Sequence, residues 1–215
     1  MRCMKSSVCR PAVRFWLAIV VLPVALLACG GKDGPQDSDT PTKDGDAQLV
    51  KLNSVIELIR EAEAAKVTAP MVVKTDDASQ SRDEYHQASG GKYVDLPDES
   101  GKGDEVGGKA AFTVDIKTPG RYRLWARVWW MDGCGNSFGV VVDPDKGGKQ
   151  ATLGEDATKD VWQWVCLRGD AGVFRLTKGE HRIEFRNTED GVRLDEILLT
   201  TNTDEQAPPV GIVSP

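Results

Sequence analysis

Near the C-terminal end, residues 190–200 read DGVRLDEILLT. Gly191 marks a turn, and the run from Val192 to Thr200 has the character of a strand. On a regular strand Asp195 shares a face with Ile197 and Leu199. A carboxylate on an apolar face is costly unless something pairs with it. Asp195 is therefore the first residue whose position asks for chemistry.

Few other residues suggest catalysis. The chain has two histidines, His86 and His181. His181 lies on the apolar parity of its strand and is expected in the core. His86, in the polar stretch SRDEYHQ, is expected to be exposed. Neither stands near a Ser or Cys in a nucleophile phrase, and no Cys/His metal-ligand spacing occurs. Asp83-Glu84 is a pair of adjacent acids in a polar stretch. A glycosidase dyad instead needs two carboxyls set across a cleft, so the pair reads as solvated. The residues point to a protein that is not an enzyme.

The elements that must position these residues are mostly strands. Phe112, Val114 and Ile116 alternate with polar residues, and Thr118-Pro119-Gly120 makes a turn. Tyr122, Leu124, Ala126 and Val128 alternate with Arg121, Arg123, Trp125 and Arg127. Phe138, Val140 and Val142 form a third set, and His181, Ile183 and Phe185 a fourth. Short alternating strands separated by turns indicate an antiparallel β-sandwich or jelly roll. About 150 residues is enough for one such core. The segment SVIELIREAEAAKV (54–67) fits an amphipathic helix or a strand, and periodicity alone does not decide.

The first fifty residues differ. Arg2, Lys5, Arg10 and Arg14 precede a 14-residue apolar run, Phe15 to Ala28. A membrane span needs about 20 residues, whereas a secretory signal fits this length. The run ends in Leu26-Leu27-Ala28-Cys29, which resembles the lipobox of bacterial lipoproteins. On that resemblance residues 1–28 are a signal peptide and Cys29 carries lipid. Gly30 after the cysteine resembles an outer-membrane sorting signal. Residues 29–53 form a Gly-, Asp-, Pro- and Thr-rich tether. The folded region is 54–203, and 204–215 is a tail.

Removing residues 1–28 takes four basic groups and no acid. That leaves 23 basic against 33 acidic groups, a net charge of −10. So acidic a surface argues against nucleic acid, whose affinity rests on Lys and Arg at phosphates. It suits cations or glycans. Of five cysteines, Cys134 and Cys166 then remain as candidates for one disulfide in an oxidising envelope. Sequence leaves their separation open.

Several phrases together resemble one family: REAEAAKV (60–67), ASGGKYVDLP (88–97), GGKAAFTVDIKTPGRYRLWARVWW (107–130), GNSFGVVVD (135–143), WQWV (162–165) and LTKGEHRIEFRNTEDGVRLDEILLT (176–200). Their order is similar to that of carbohydrate-binding modules of families six and thirty-five, galactose-binding-like β-jelly rolls. The resemblance implies that EAE is the first strand. It also implies that Glu61 and Glu63 bind a structural Ca²⁺ together with Asp195, aided by carbonyls near Ser89 to Lys92. The competing reading is an ion pair of Asp195 with Arg60 or Arg193.

A sugar-binding surface needs an aromatic platform and a few planar polar groups. Trp129 has the parity of Trp125 and Arg127 and is the platform candidate. Trp130 has the opposite parity and is expected in the core, as are Trp162 and Trp164. Asn136 in the loop MDGCGNS (131–137) offers a donor and an acceptor. Tyr93 is a second stacking candidate. Arg193 stands where many sugar-binding members of the family place Asn, so an acidic sugar, or none, becomes the expectation. Two functions follow. One is a lipid-anchored, non-catalytic module binding extracellular or cell-wall polysaccharide at the bacterial envelope. The other is a structural or protein-interaction lipoprotein built on the same sandwich.

Overall fold

A computed structural model describes residues 55–76, 87–103, 106–155 and 158–205. They belong to one compact unit, Asn53–Pro215. The signal segment, Cys29, the tether, Asp83, Glu84 and His86 lie outside the described residues. Among the described residues no helix is long and apolar enough to cross a membrane.

The described chain is built of twelve strands: β1 (Glu57–Glu61), β2 (Lys66–Thr68), β3 (Val72–Thr75), β4 (Lys92–Leu96), β5 (Lys109–Ile116), β6 (Gly120–Trp130), β7 (Ser137–Val142), β8 (Ala151–Gly154), β9 (Trp162–Cys166), β10 (Val173–Leu176), β11 (Gly179–Asn187) and β12 (Val192–Thr200). They make two antiparallel sheets. One has the order β10-β6-β12-β4-β3, with β1 also on β12 and β9 also on β6. The other runs β2-β5-β11-β7-β8. The fold is the expected all-β jelly-roll sandwich.

Alternation assigns the faces. Tyr122, Leu124, Ala126, Val128 and Trp130 of β6 point into the core, where they meet Phe112, Phe138 and Phe185 from the other sheet. Trp130 is fully buried and lies 5.7 Å from Phe138, ring to ring. His181 is buried as expected but is not apolar in its company. Its Nδ1 lies 2.6 Å from Asp143 Oδ2 and its Nε2 2.9 Å from the Thr177 carbonyl oxygen. Burial disfavours ionised Asp143, but the Arg182 N–H, His181 and Lys146 more than offset it and lower its pKa.

Two local expectations are corrected. The segment 54–67 is neither a helix nor one strand. β1 ends at Glu61, and Ala62–Ala64 forms a single 3-10 turn before β2. The reason is topological: β1 belongs to one sheet and β2 to the other, so the chain must cross between them. Ala62, with no exposed surface, sits at the crossing. Of the EAE phrase only Glu61 is in the strand.

The second concerns Asp195. Leu194 pairs with Val128, but Glu196 pairs with Arg127, so Asp195 is the extra residue of a β-bulge. The bulge shifts the parity of β12. Val192 and Leu194 face the core before it, and Ile197 and Leu199 after it. Asp195 therefore does not share the apolar face with Ile197 and Leu199.

The expected Cys134–Cys166 bond is absent. Cys166 is a free thiol opposite Trp125, near the middle of β6, whereas Cys134 lies beyond the end of that strand at Trp130. The five residues from Trp125 to Trp130 alone span roughly 17 Å of strand, well past the Cα separation of about 7 Å that a disulfide tolerates. Burial pushes the Cys166 thiol pKa up, against the pull of Arg123.

One glycine is irreplaceable on steric grounds. Gly154 has φ +113, and a Cβ there would stand 2.1 Å from the Asn136 carbonyl oxygen. Gly154→Ala is expected to cost at least about 2 kcal/mol, lowering Tm by roughly 5 °C or more in differential scanning calorimetry. An unchanged Tm would contradict this packing.

Candidate functional site

Two groups of predicted residues are gathered by the fold. The first lies where β1 meets β12. Asp195 has no exposed surface. Its Oδ2 accepts the Ser89 backbone N–H at 3.1 Å and forms a very short ion pair with Arg127 Nη1. The Ser89 hydroxyl donates to Glu61 Oε1 at 3.0 Å. Glu63 Oε1 comes 3.8 Å from where a Cβ on Gly90 would stand. All three acids thus converge on the turn Ser89–Gly91, in which Gly90 and Gly91 take φ of +58 and +70. Only glycine adopts two successive left-handed conformations at little cost.

The cation that reaches Asp195 is Arg127, not Arg60 or Arg193. Arg60 turns its Nη1 to the Ile59 carbonyl oxygen, and Arg193 pairs with Asp95. Sequence reasoning places carbonyls near Ser89 to Lys92 beside these acids, but it points neither to Arg127 nor to the Ser89 N–H and hydroxyl as donors. Arg127 carried one usable signal, its parity with Trp129. Ser89 carried another, its place before two glycines.

One cation leaves these acids under-compensated. Burial pushes the pKa of Asp195 up to about 7, while Arg127 and the Ser89 N–H pull it down without cancelling that effect. Burial likewise raises Glu61. The Ser89 hydroxyl opposes that shift, Glu196 and Glu63 add to it, and Arg127 opposes it. Among the described residues, the buried Glu61 Oε2, Glu63 Oε2 and Asp195 Oδ1 find no hydrogen-bond partner. Orphaned buried oxygens of this kind demand a partner. Hard carboxylate oxygens with a backbone turn beside them fit the ligand chemistry of Ca²⁺. The fit is incomplete as the side chains stand: among the described residues no three His, Cys, Asp or Glu are grouped as a formed metal site.

The second group lies on the outer face of the larger sheet. Strand register sets Asp95, Arg193, Trp129 and Trp162 side by side across β4, β12, β6 and β9. The Arg193 guanidinium lies 5.2 Å from the Tyr93 ring centre and 5.4 Å from that of Trp129. Trp162 packs edge-on against both rings, at 5.6 and 5.8 Å. Asp95 holds Arg193 Nε at 3.3 Å and Lys74 Nζ at 2.5 Å. Two cations thus share one carboxylate. Trp129 and Arg193 are half-buried, while Tyr93 and Trp162 are buried. Trp162 thus belongs to this outer cluster rather than to the sandwich core.

Asn136 does not join that group. It is buried at the start of β7, where its Nδ2 donates to the Glu155 carbonyl oxygen at 3.0 Å and its backbone N–H to Glu189 Oε2 at 3.1 Å. Both contacts tie loops together.

No protein-family model and no curated protein matches the chain. Solved structures do. A GH26-CBM35 β-(1,4)-mannanase from Podospora anserina is 23% identical over 71% of this chain, with a TM-score of 0.50. The likeness is one of fold. This chain spans 29% of the length of that mannanase. A family 35 carbohydrate-binding module from Clostridium thermocellum is 17% identical over 67% of this chain and 97% of its own, with a TM-score of 0.49. An exo-β-1,3-galactanase from Phanerochaete chrysosporium is 19% identical over 66% and 29%, with a TM-score of 0.48.

Proposed function

We propose that this protein is a non-catalytic, lipid-anchored module that binds extracellular or cell-wall glycan, with a structural Ca²⁺ between β1 and β12. The observation that carries the glycan reading is the half-exposed Trp129 beside an arginine whose guanidinium lies 5.2 Å from the Tyr93 ring centre and 5.4 Å from that of Trp129. An indole face suits the C–H face of a sugar, and a fixed guanidinium suits hydroxyls or a carboxylate. Lys74 and Arg193, which share the single carboxylate of Asp95, favour an acidic sugar.

Glu61, Glu63 and Asp195 would hold the ion, supported by carbonyls of the Ser89–Lys92 turn. The ion would supply positive charge to oxygens that nothing else satisfies. Cys29 would carry the lipid and residues 30–53 would act as tether, placing the module at the bacterial envelope, on the outer membrane.

The test is a glycan array with neutral and acidic polymers, using the intact protein. Trp129→Ala is expected to weaken binding at least tenfold, and Arg193→Ala to erase any preference for acidic polymers. Binding unchanged in both variants would refute this site. A second reading, a structural or protein-interaction lipoprotein, is favoured by one observation. Tyr93 and Trp162 are buried and Arg193 is already paired with Asp95, so the sugar would meet little beyond Trp129. Silence across the whole array would support it.

A further inference from the structure

A cleft of about 630 Å³ opens between the edge strands β8 and β9, and it includes none of Trp129, Arg193 or Tyr93. Two indoles line it, Trp125 and Trp164, together with the polar side chains of Thr152 and Gln163. Trp164 is half-buried, so part of its ring meets solvent. Trp125 is 4% exposed, and its Nε1–H has no hydrogen-bond acceptor. A buried indole donor without an acceptor is uncommon.

The rim is strained as well. Glu155 is held at φ +81, a conformation that non-glycine residues avoid. It is fixed there by its backbone N–H, which donates to the Asn136 carbonyl oxygen at 2.9 Å, and by the crowded Gly154 before it. Strain of this sort gathers at binding sites. At the other end Glu205 is tied down. Glu205 accepts the Gly169 N–H at 2.7 Å and lies 3.3 Å from Arg123. Two indoles, a hydroxyl and an amide suit an uncharged, hydroxyl-rich ligand, and the charged side chains beside them, Glu155, Arg168 and Glu205, are of both signs.

We infer that this edge cleft is a second glycan site, taking a neutral oligosaccharide with a pyranose face on Trp164 and a sugar oxygen accepting the Trp125 Nε1–H. The inference rests on the glycan-binding reading but not on the Trp129 surface. Two sites on one rigid sandwich let a single long polymer bind twice, and avidity then exceeds either affinity.

The test is titration of the intact protein with cellohexaose, xylohexaose and mannohexaose, followed by the indole N–H resonances in NMR. At least one hexasaccharide is expected to move the Trp125 indole proton downfield, as a new hydrogen bond does. Trp164→Ala is expected to remove that shift and to weaken hexasaccharide binding at least tenfold. Trp125→Phe keeps a ring and removes only the donor, so it guards against misfolding. It is expected to weaken binding three- to tenfold at unchanged Tm. Trp129→Ala should leave the Trp125 shift intact. If Trp129→Ala abolishes all binding while Trp164→Ala and Trp125→Phe abolish none, the cleft is overturned and the glycan reading stands. If no glycan, neutral or acidic, binds the wild-type protein, both fall.

Discussion

At pH 7.5, moving the protein from millimolar calcium into EDTA is expected to lower its Tm by about 5–10 °C, and at pH 4.5 to change it little. The magnitude follows from linkage: calcium at a hundred times its dissociation constant stabilises by about 2.7 kcal/mol, and each kcal/mol shifts a domain of this size by about 2–4 °C. The pH dependence follows from Asp195. Its folded pKa of about 7 stands above the unfolded value near 4. Between those values the folded state binds the extra proton. Without metal, the contribution of Asp195 to stability is therefore fully present below about pH 4 and is lost as pH rises through 7. Glu61, also raised by burial, works in the same direction. Calcium needs the ionised carboxylates, so its stabilisation grows over the range in which the proton's fades. The two agents should replace one another. Asp195→Asn should lose the calcium response while keeping a folded sandwich, because Arg127 and Glu196 still flank the bulge. Identical melting curves with calcium and with EDTA at both pH values, and no heat of calcium binding by calorimetry, would remove the ion from this account. Arg127 would then stand as the charge partner of Asp195 among the described residues.

The second large effect separates two neighbours. Trp130→Ala is expected to cost about 3–5 kcal/mol and to lower Tm by roughly 10 °C or more. Trp130 has no exposed surface and packs among Phe138 and the β6 residues that form the middle of the sandwich. Removing it leaves a cavity that strands hydrogen-bonded on both sides cannot close. Trp129→Ala should cost only about 1–2 kcal/mol, the value of its ring contact with Trp162 and the Arg193 guanidinium above it. Its effect should fall on glycan binding. Thermal melts of both variants beside the glycan array would read this double dissociation. Equal losses of stability would mean that the face assignment of β6 is wrong.

In β5, β6 and β11 the faces were legible from the chain alone. The parity that buries Trp130 and turns Trp129 outward is a local property, since side chains alternate at every residue. The same rule placed Phe112, Val114 and Ile116, as well as Ile183 and Phe185, in the core. Asp195 was recognisable as a buried charge in need of a partner, but its partner was not. Arg127 is 68 residues away and Ser89 is 106 away. Which of several arginines arrives depends on the register of β6 against β12, and that register contains a bulge with no local signature. The break of the EAE phrase at Ala62 was hidden for the same reason. It is set by the need to pass from one sheet to the other, which no window of sequence contains. Cys134 and Cys166 failed as a pair because their separation is fixed by the length of β6, not by their spacing in the chain. Composition and alternation therefore settled the class of fold and the faces of β5, β6 and β11, but not the side of Asp195 or Trp162. Tertiary pairing alone decided which charges meet, because those meetings join strands that are distant in sequence and whose register is set by the packing of the whole sandwich.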